Sequence, residues 1–209
     1  MKDGADWLLT MDQDSRFKEN SLDLMIDWIK NNDTNRIGIL APYYIVNNEI
    51  VNDLGSQLYD VISVITSGNL LNLLIFKKVG EFNEKYFIDY VDHEYCLRIK
   101  KNKFHIKIFK NSILFHKLGD IKKREILGIN FIFTNHNYIR RYYVTRNRLN
   151  LASKYIFIFP LFIIKDLKCA FVEYIKILLF EDDKIRKQKA IILGIIHFLT
   201  GKSGKYDFS

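Results

Sequence analysis

Two carboxylates separated by one residue follow an apolar run near the start of the chain. Residues 7–11 are largely apolar, and Asp12 and Asp14 come directly after them. A buried strand that ends in this way places two oxygen ligands at its carboxyl end, where open α/β sheets bind their ligands. Hard divalent cations are held in such places by carboxylates together with substrate phosphates. The pattern therefore predicts a metal site, although two solvated loop carboxylates would show the same spacing.

A second acidic cluster contains Asp89, Asp92 and Glu94. Carboxylates this close repel one another, so we expect one of them to have a raised pKa or a cationic partner. A carboxylate at a helix N-terminus that faces a cleft can act as a general base. An acidic helix start that only complements the helix dipole has the same sequence, and spacing alone favours this second interpretation.

Three further polar residues carry little information when taken singly. His116 follows an alternating segment, and a lone histidine there is more typical of a structural residue than of a metal ligand. Arg146 and Asn147, taken alone, indicate an exposed helix face.

The elements that would position these residues alternate between strands and helices, which predicts an α/β class. Pro42 is expected to end the second strand. The predicted strands cover residues 5–11, 36–41, 61–66 and 104–115, with loop and edge structure at 49–59 and turns at 66–69 and 80–84. The predicted helices begin at Asn20 or Ser21, occupy the second half of 87–101 and cover 135–155.

Length and composition indicate a folded protein of 209 residues with one good-sized domain, or one domain and an appendage. The apolar fraction is 48% and the charged fraction 27%, which excludes a disordered chain.

Cys96 and Cys169 are far apart and lack metal-binding spacing, so we expect reduced thiols in the cytoplasm. The acidic N-terminus has no apolar segment of the kind found in signal peptides.

The net charge of +8 arises mainly after residue 98. Nucleic acid and anionic membrane are the usual partners of such a surface. Zinc-ligand spacing, aromatic RNA-binding signatures and helix-turn-helix patterns are all lacking, so a nucleic-acid partner is not expected. Residues 156–199 mix apolar and charged segments without an apolar run near the ~18 residues that span a bilayer. Amphipathic helices lying on a membrane and helices packed on the core both remain open.

Taken in order, several segments resemble the inverting, family-two glycosyltransferases of the GT-A fold, and within them the rhamnosyltransferase-like branch. The matching segments are DWLLTMDQDS at 6–15, TSGNL at 66–70, GEFNE at 80–84, FIDYVDHEYCLR at 87–98, HKLG at 116–119 and RYYVTRN at 141–147. Each motif is modest, but their order and spacing together are specific and extend over nearly the whole chain.

This resemblance implies a role for each acidic motif. Asp12 and Asp14 would join Mg²⁺ or Mn²⁺ to the diphosphate of a nucleotide sugar, with His116 close to the metal. Asp92 matches the catalytic base that takes the proton of the acceptor hydroxyl.

The resemblance also implies substrate contacts. Ser67 and Gly68 would line the acceptor side. Arg146 and Asn147 match a helix that follows the family's core, where a structural or membrane-proximal role is as open as a catalytic one. The remaining expected substrate-binding residues are Trp7, Gln13, Asn69, Asp89 and Glu94.

The fold implied is a partial GT-A domain with a Rossmann-like mixed sheet at residues 1–134, followed by helical, amphipathic and membrane-proximal residues 135–209. The implied donor is dTDP-rhamnose, and the acceptor is a saccharide or lipid-linked saccharide of a cell-surface polysaccharide. The expected location is the cytoplasm, peripheral to the inner face of the cytoplasmic membrane.

Two departures from the family pattern stand out. The family often has Glu before the catalytic aspartate, and Val91 stands there in this chain. The family's nucleoside-binding βαβαβ portion would precede Asp12, and we expect its absence to leave an exposed sheet edge at the first strand, prone to association. The alternative hypothesis is therefore an inactive, truncated remnant or an accessory protein that binds a membrane surface or a partner.

Overall fold

A computed structural model describes residues 4–45, 58–116, 121–126 and 129–208. The strands are β1 (Trp7–Thr10), β2 (Arg16–Phe17), β3 (Ile37–Ile45), β4 (Leu58–Asp60), β5 (Asn69–Asn72), β6 (His105–Phe115), β7 (Ile121–Ile126) and β8 (Ile129–Thr134). The α-helices are α1 (Ser21–Asn31), α2 (Leu73–Val79), α3 (Val91–Lys101), α4 (Tyr138–Tyr155), α5 (Pro160–Phe180) and α6 (Lys184–Leu199), and Glu84–Tyr86 form a 3₁₀ turn. The predicted α/β class is confirmed.

The chain divides into two compact units. The first contains Met1–Phe82 and Tyr95–Leu118, and the second contains Asn83–Glu94 and Gly119–Ser209. The predicted division into residues 1–134 and 135–209 concerns the limits of a catalytic domain and stays a prediction.

The first unit is built on a mixed sheet with the strand order β1-β5-β3-β6-β2, and β4 also pairs with β6. β5 is antiparallel to both β1 and β3, while β3 and β6 are parallel. β1, β3 and β6 therefore run in the same direction, and their carboxyl ends meet at one end of the sheet.

Alternating residues of the sheet supply two core clusters, one on each face. Ile39 and Leu71 pack on one side with residues of α2 and α3, such as Ile75 and Ile99. Their neighbours in the strands, Leu40 and Leu70, pack on the other side with Met25 of α1. Helices thus cover both faces of the sheet, as in Rossmann-like folds.

The expectation that Pro42 ends a strand is wrong. β3 continues to Ile45 with Pro42 inside it, and the register against β6 shifts between Pro42 and Tyr43. Proline has no N–H to donate to the ladder, so within sheets it is found at irregularities such as this one.

The predicted strand at residues 61–66 is also wrong. Apart from one bond, from the N–H of Val61 to the carbonyl of Ile106 in β6, this segment makes no strand pairing in the described part of the chain. Val64 is buried in the core, which explains the apolar composition. The backbone carbonyls of Ile65 and Thr66 accept hydrogen bonds from side chains, including the hydroxyls of Tyr44 and Thr10. Side-chain donors thus replace the neighbouring strand that the sequence pattern suggested.

β1 is a strand, as predicted, but it is not buried. Leu8 is 46% exposed and Leu9 is 38% exposed. Within the described residues β1 pairs only with β5 and forms one end of the strand order, so the edge expected at the first strand is present. The apolar run was predicted to be a buried strand, but it forms an edge strand whose apolar side chains are partly exposed.

In the second unit, β7 and β8 form an antiparallel hairpin. α4 and α6 approach each other closely, because a Cβ atom at Gly194 would lie 2.9 Å from the carbonyl oxygen of Tyr142. α4 begins at Tyr138, three residues later than predicted, since the side chain of Asn137 caps it by accepting from the N–H of Arg140. Among the helices of the described residues, none combines the length and apolar character needed to span a bilayer.

Candidate functional site

The pair Asp12 and Asp14 lies on the connection between the two outermost strands of the sheet. β1 and β2 are at opposite ends of the strand order, so residues 11–15 cross the sheet at the carboxyl end of β1. The N–H of Ser15 donates to the carbonyl of Asp12 over 3.2 Å and closes a turn around both aspartates. The predicted placement at a strand's carboxyl end is therefore observed.

His116 reaches the same place from the end of β6. β2 pairs with the last residues of β6, Arg16 opposite Phe115, and this pairing brings Ser15 beside His116. The Ser15 hydroxyl lies 2.8 Å from Nδ1 of His116. One ligand atom from each of Asp12, Asp14 and His116 lies within 4.8 Å of the others. Two aspartates that are close in sequence and a histidine far along the chain thus form one cluster, which we call the DDH cluster.

The chemistry of the DDH cluster fits a divalent cation. Carboxylate oxygens suit Mg²⁺ and Mn²⁺, and an imidazole nitrogen is compatible with a transition metal such as Mn²⁺. Asp12 and Asp14 are exposed and His116 is partly buried. Three protein ligands leave the other positions of an octahedral cation for oxygens that arrive from solvent, such as those of a diphosphate.

Ser67 and Gly68 fix the end of β1 beneath the DDH cluster. The Ser67 hydroxyl, fully buried, accepts from the N–H of Asp12 over 3.1 Å. The N–H of Gly68 donates to the carbonyl of Thr10 over 2.7 Å. This supporting role was not apparent from the sequence, because it depends on the loop before β5 lying beside the end of β1. Substrate contact by either residue stays a prediction.

Gly68 occupies a position that suits only glycine. Its φ is +73°, and a Cβ atom there would lie 2.9 Å from side-chain carbons of both Pro42 and Leu114. The absence of a Cβ atom at Gly68 therefore lets the backbone pack closely against the protein's own core.

The other residues predicted around this cluster differ in exposure. Trp7 is partly buried against the core cluster that includes Met25. Gln13 is exposed between the two aspartates. Asn69 is buried, and its carboxamide donates to the carbonyl of Ile65 and accepts from the Tyr44 hydroxyl. Asn69 is thus used in packing, and a contact with substrate stays a prediction for all three.

Asp92 belongs to the second unit and lies in the first turn of α3. It is partly buried, and its carboxylate accepts from the N–H of His93 over 2.8 Å. One carboxylate oxygen therefore accepts a backbone hydrogen bond at the start of the helix. The assignment of Asp92 as a base stays a prediction.

The other two carboxylates of this acidic cluster have cationic partners, as expected. Arg140 donates to both carboxylate oxygens of Asp89 at 2.9–3.2 Å. Glu94 is completely buried, and it accepts from Lys154 at 2.6 Å and from the Tyr155 hydroxyl at 3.0 Å. These ion pairs attach the start of α3 to α4, and substrate contact by either carboxylate stays a prediction.

Arg146 and Asn147 are buried and do not form the exposed helix face that they indicate when taken alone. The Asn147 amide donates to the backbone carbonyls of Tyr86, Ile88 and Asp89. This turn contains left-handed, non-glycine residues, namely Phe87, Asp89 and Tyr90. Backbone of this kind persists only where its surroundings hold it, so Asn147 stabilises the segment that leads into Asp92.

A comparison with known proteins can now be set beside this geometry. No known family profile matches the sequence. The chain is 28% identical to the dTDP-rhamnosyl transferase RfbF of Shigella flexneri, over 98% of this chain and 72% of that protein. The chain resembles a rhamnosyltransferase. This similarity supports a rhamnosyltransferase-like glycosyltransferase, in agreement with the family resemblance of the motifs. Of the matching motif at 116–119, residues 117–119 lie outside the described residues.

Proposed function

We propose that this protein is an inverting, GT-A type glycosyltransferase that transfers rhamnose from dTDP-rhamnose to a hydroxyl group of a saccharide or lipid-linked saccharide acceptor. The observation that carries the proposal is the DDH cluster at the carboxyl end of β1. It occurs in a chain that is similar, over nearly its whole length, to a dTDP-rhamnosyl transferase.

Asp12, Asp14 and His116 would hold Mg²⁺ or Mn²⁺. When bound, the cation supplies electrostatic neutralisation of the charge that develops on the departing diphosphate. The exposure of both aspartates allows the donor diphosphate to approach the cluster from solvent.

Asp92 is proposed as the general base. The acceptor oxygen forms a bond to the anomeric carbon of rhamnose as the bond from that carbon to the diphosphate oxygen breaks, and the acceptor proton passes to the Asp92 carboxylate. Attack opposite the leaving group inverts the anomeric configuration. The hydrogen bonds from Asn147 hold the backbone of the turn that precedes Asp92 and so help to position this carboxylate.

Release of dTDP in the presence of Mn²⁺ and a saccharide acceptor tests the proposal. We expect Asp12→Asn and Asp92→Asn each to lower turnover by about 100-fold or more. Asp23→Asn, in the exposed first turn of α1, is the matched control and should retain wild-type turnover. Wild-type turnover in either site variant would reject the assigned roles.

Calorimetry with dTDP-rhamnose and Mn²⁺ separates the two roles and tests the alternative of an inactive remnant. Asp12→Asn should weaken donor binding, whereas Asp92→Asn should leave it unchanged, because a base for the acceptor makes no contact with the diphosphate. A wild-type protein that binds no donor supports the remnant.

Peripheral binding to the inner face of the cytoplasmic membrane is the second part of the proposal. Several apolar side chains of the second unit are largely exposed, among them Phe157 at 95%, Leu161 at 84% and Leu199 at 73%. Lys165 and Lys168 are exposed in α5, the helix that also carries Leu161. Apolar side chains combined with cations are the features by which helices bind an anionic membrane surface, and such a location would bring the protein to lipid-linked acceptors.

A further inference from the structure

The second unit contains a small polar cavity that the proposed sugar transfer does not use. Its volume is about 140 Å³, and no Asp or Glu is among the described residues that line it. Its polar lining includes Asn83, Lys85, Arg146, Asn150, Lys202 and Ser203. We call it the Arg146 cavity.

Arg146 is a buried cation, 3% exposed, whose hydrogen-bond acceptors in the described residues are all neutral. Its guanidinium donates to the carbonyls of Lys85, Tyr86 and Gly204, to the Tyr142 hydroxyl and to the Asn147 side chain. It also stacks over the rings of Tyr142 and Tyr143. These contacts satisfy the N–H groups, but none of the described residues supplies a counter-ion for the positive charge.

Other buried cations of this unit do have carboxylate partners. Arg141 and Lys187, which are equally buried, share the buried carboxylate of Glu181. Arg148 pairs with Asp166 and Glu173. A buried charge without an opposite charge is costly. Because Arg146 has no carboxylate partner within the part of the chain that the structure describes, its guanidinium favours an anion in the adjoining cavity.

The remaining lining residues have the matching chemistry. Lys85 and Lys202 add two exposed cations. The carboxamide oxygens of Asn83 and Asn150 already accept from the Lys85 N–H and the Tyr86 hydroxyl, so their NH₂ groups are the donors that they can offer to a ligand. Nearby, burial together with the charges of Lys202 and Arg146 lowers the pKa of His197, which reflects the positive potential here.

The volume restricts the size of the anion. Pockets for whole small-molecule ligands measure roughly 300 to 1,000 Å³, so a cavity of about 140 Å³ admits one functional group. Tetrahedral phosphoryl groups are bound by cations and N–H donors of the kind found here. We propose that the Arg146 cavity binds a phosphoryl group, either of a free phosphate or of a lipid headgroup.

Calorimetric titration of the full chain with sodium phosphate, at constant ionic strength, tests this proposal. The double variant Lys85→Gln/Lys202→Gln changes only exposed side chains and should weaken binding by about tenfold or more. The matched control Lys77→Gln/Lys189→Gln removes the same charge from exposed positions outside the cavity and should bind as the wild type does. Asp12→Asn should also bind normally, which separates this site from the DDH cluster.

Vesicles of phosphatidylcholine, with and without phosphatidic acid, distinguish the two sources of the phosphoryl group. If the wild type binds inorganic phosphate and the double variant does not, the cavity is a site for free phosphate. A lipid headgroup site is identified by two results together. Inorganic phosphate does not bind, and phosphatidic acid increases vesicle binding of the wild type and the control but not of the double variant. Equal behaviour of the double variant and its control in both arms would overturn the proposal.

Discussion

Ser15 connects the turn that carries the aspartates to the third member of the DDH cluster. Its hydroxyl lies 2.8 Å from Nδ1 of His116, so Nε2 is the nitrogen left to face a cation. Partners of this kind set the ring orientation and tautomer of a metal-binding histidine, and their loss typically lowers metal affinity 10- to 100-fold.

We therefore expect Ser15→Ala to lower the Mn²⁺ affinity by about tenfold, measured by electron paramagnetic resonance titration of free Mn²⁺. Ser153→Ala, which removes an exposed hydroxyl bonded to the carbonyl of Asn150, is the control and should not change the affinity. An unchanged affinity for Ser15→Ala would show that the hydroxyl does not orient the histidine.

At Gly68, both the backbone conformation and the packing of neighbouring side chains favour glycine. We expect Gly68→Ala to destabilise the first unit by about 2–4 kcal/mol, because the alanine meets both a left-handed φ and the side chains of Pro42 and Leu114. Gly4→Ala has a similar φ of +66° but open space around the added Cβ, so it should cost at most about 1–2 kcal/mol. Urea unfolding measures both, and equal costs would show that packing at Gly68 contributes nothing.

The sequence predicted the members of the DDH cluster better than it predicted the residues that hold them in place. The spacing of Asp12 and Asp14 fits a metal site or a solvated loop equally well, and only the family resemblance connected them to His116. The roles of Ser15 and Ser67 depend on β2, a strand of two residues, and on a loop beside β1. Such short, long-range pairings leave no periodic pattern in the sequence.

Among the elements, long periodic segments were predicted well and irregular ones were not. β6 was predicted one residue from its observed start. α3 was expected in the second half of residues 87–101 and begins somewhat earlier, at Val91. The errors at Pro42 and at residues 61–66 have one cause. Both segments are apolar because they pack in the core, but their backbone hydrogen bonds depend on a bulge or on side chains that are distant in sequence.

The junction between β8 and α4 contains a histidine that should make stability depend on pH. Burial, together with the adjacent charges of Arg140 and Arg141, lowers the pKa of His136 to about 4 from 6.5. Between these values the unfolded chain binds a proton that the folded protein does not, so the free energy of unfolding is greatest above pH 6.5 and falls as the pH decreases towards 4.

We expect His136→Gln to reduce this loss of stability between pH 6.5 and about 4, as followed by urea unfolding at a series of pH values. His197, whose pKa is also lowered, by burial and by Lys202 and Arg146, remains in the variant. Part of the slope should therefore persist. A variant with the same pH profile as the wild type would contradict the assignment to His136.

At the scale of the whole molecule, charge and apolar surface are distributed unevenly. The net charge is +8, with most Lys and Arg after residue 98. Buried carboxylates such as Glu181 neutralise cations inside the second unit, while lysines of α5 and α6 remain exposed beside apolar side chains. The sequence could indicate this composition, but it could not decide between packed helices and surface-binding helices, because that depends on which side chains the fold leaves exposed.

The exposed apolar residues allow a direct test of membrane binding. Burying a large apolar side chain is worth about 1.5–3 kcal/mol, so Phe157→Ser/Leu161→Ser should weaken binding to anionic vesicles by about tenfold or more. Leu24→Ser/Leu74→Ser replaces apolar residues that are 43% and 59% exposed in the first unit and should leave binding unchanged. Sedimentation with vesicles at increasing salt measures both, and binding should weaken as salt screens the lysines. If the two double variants bind vesicles equally well, the exposed residues of the second unit are not the membrane-binding surface.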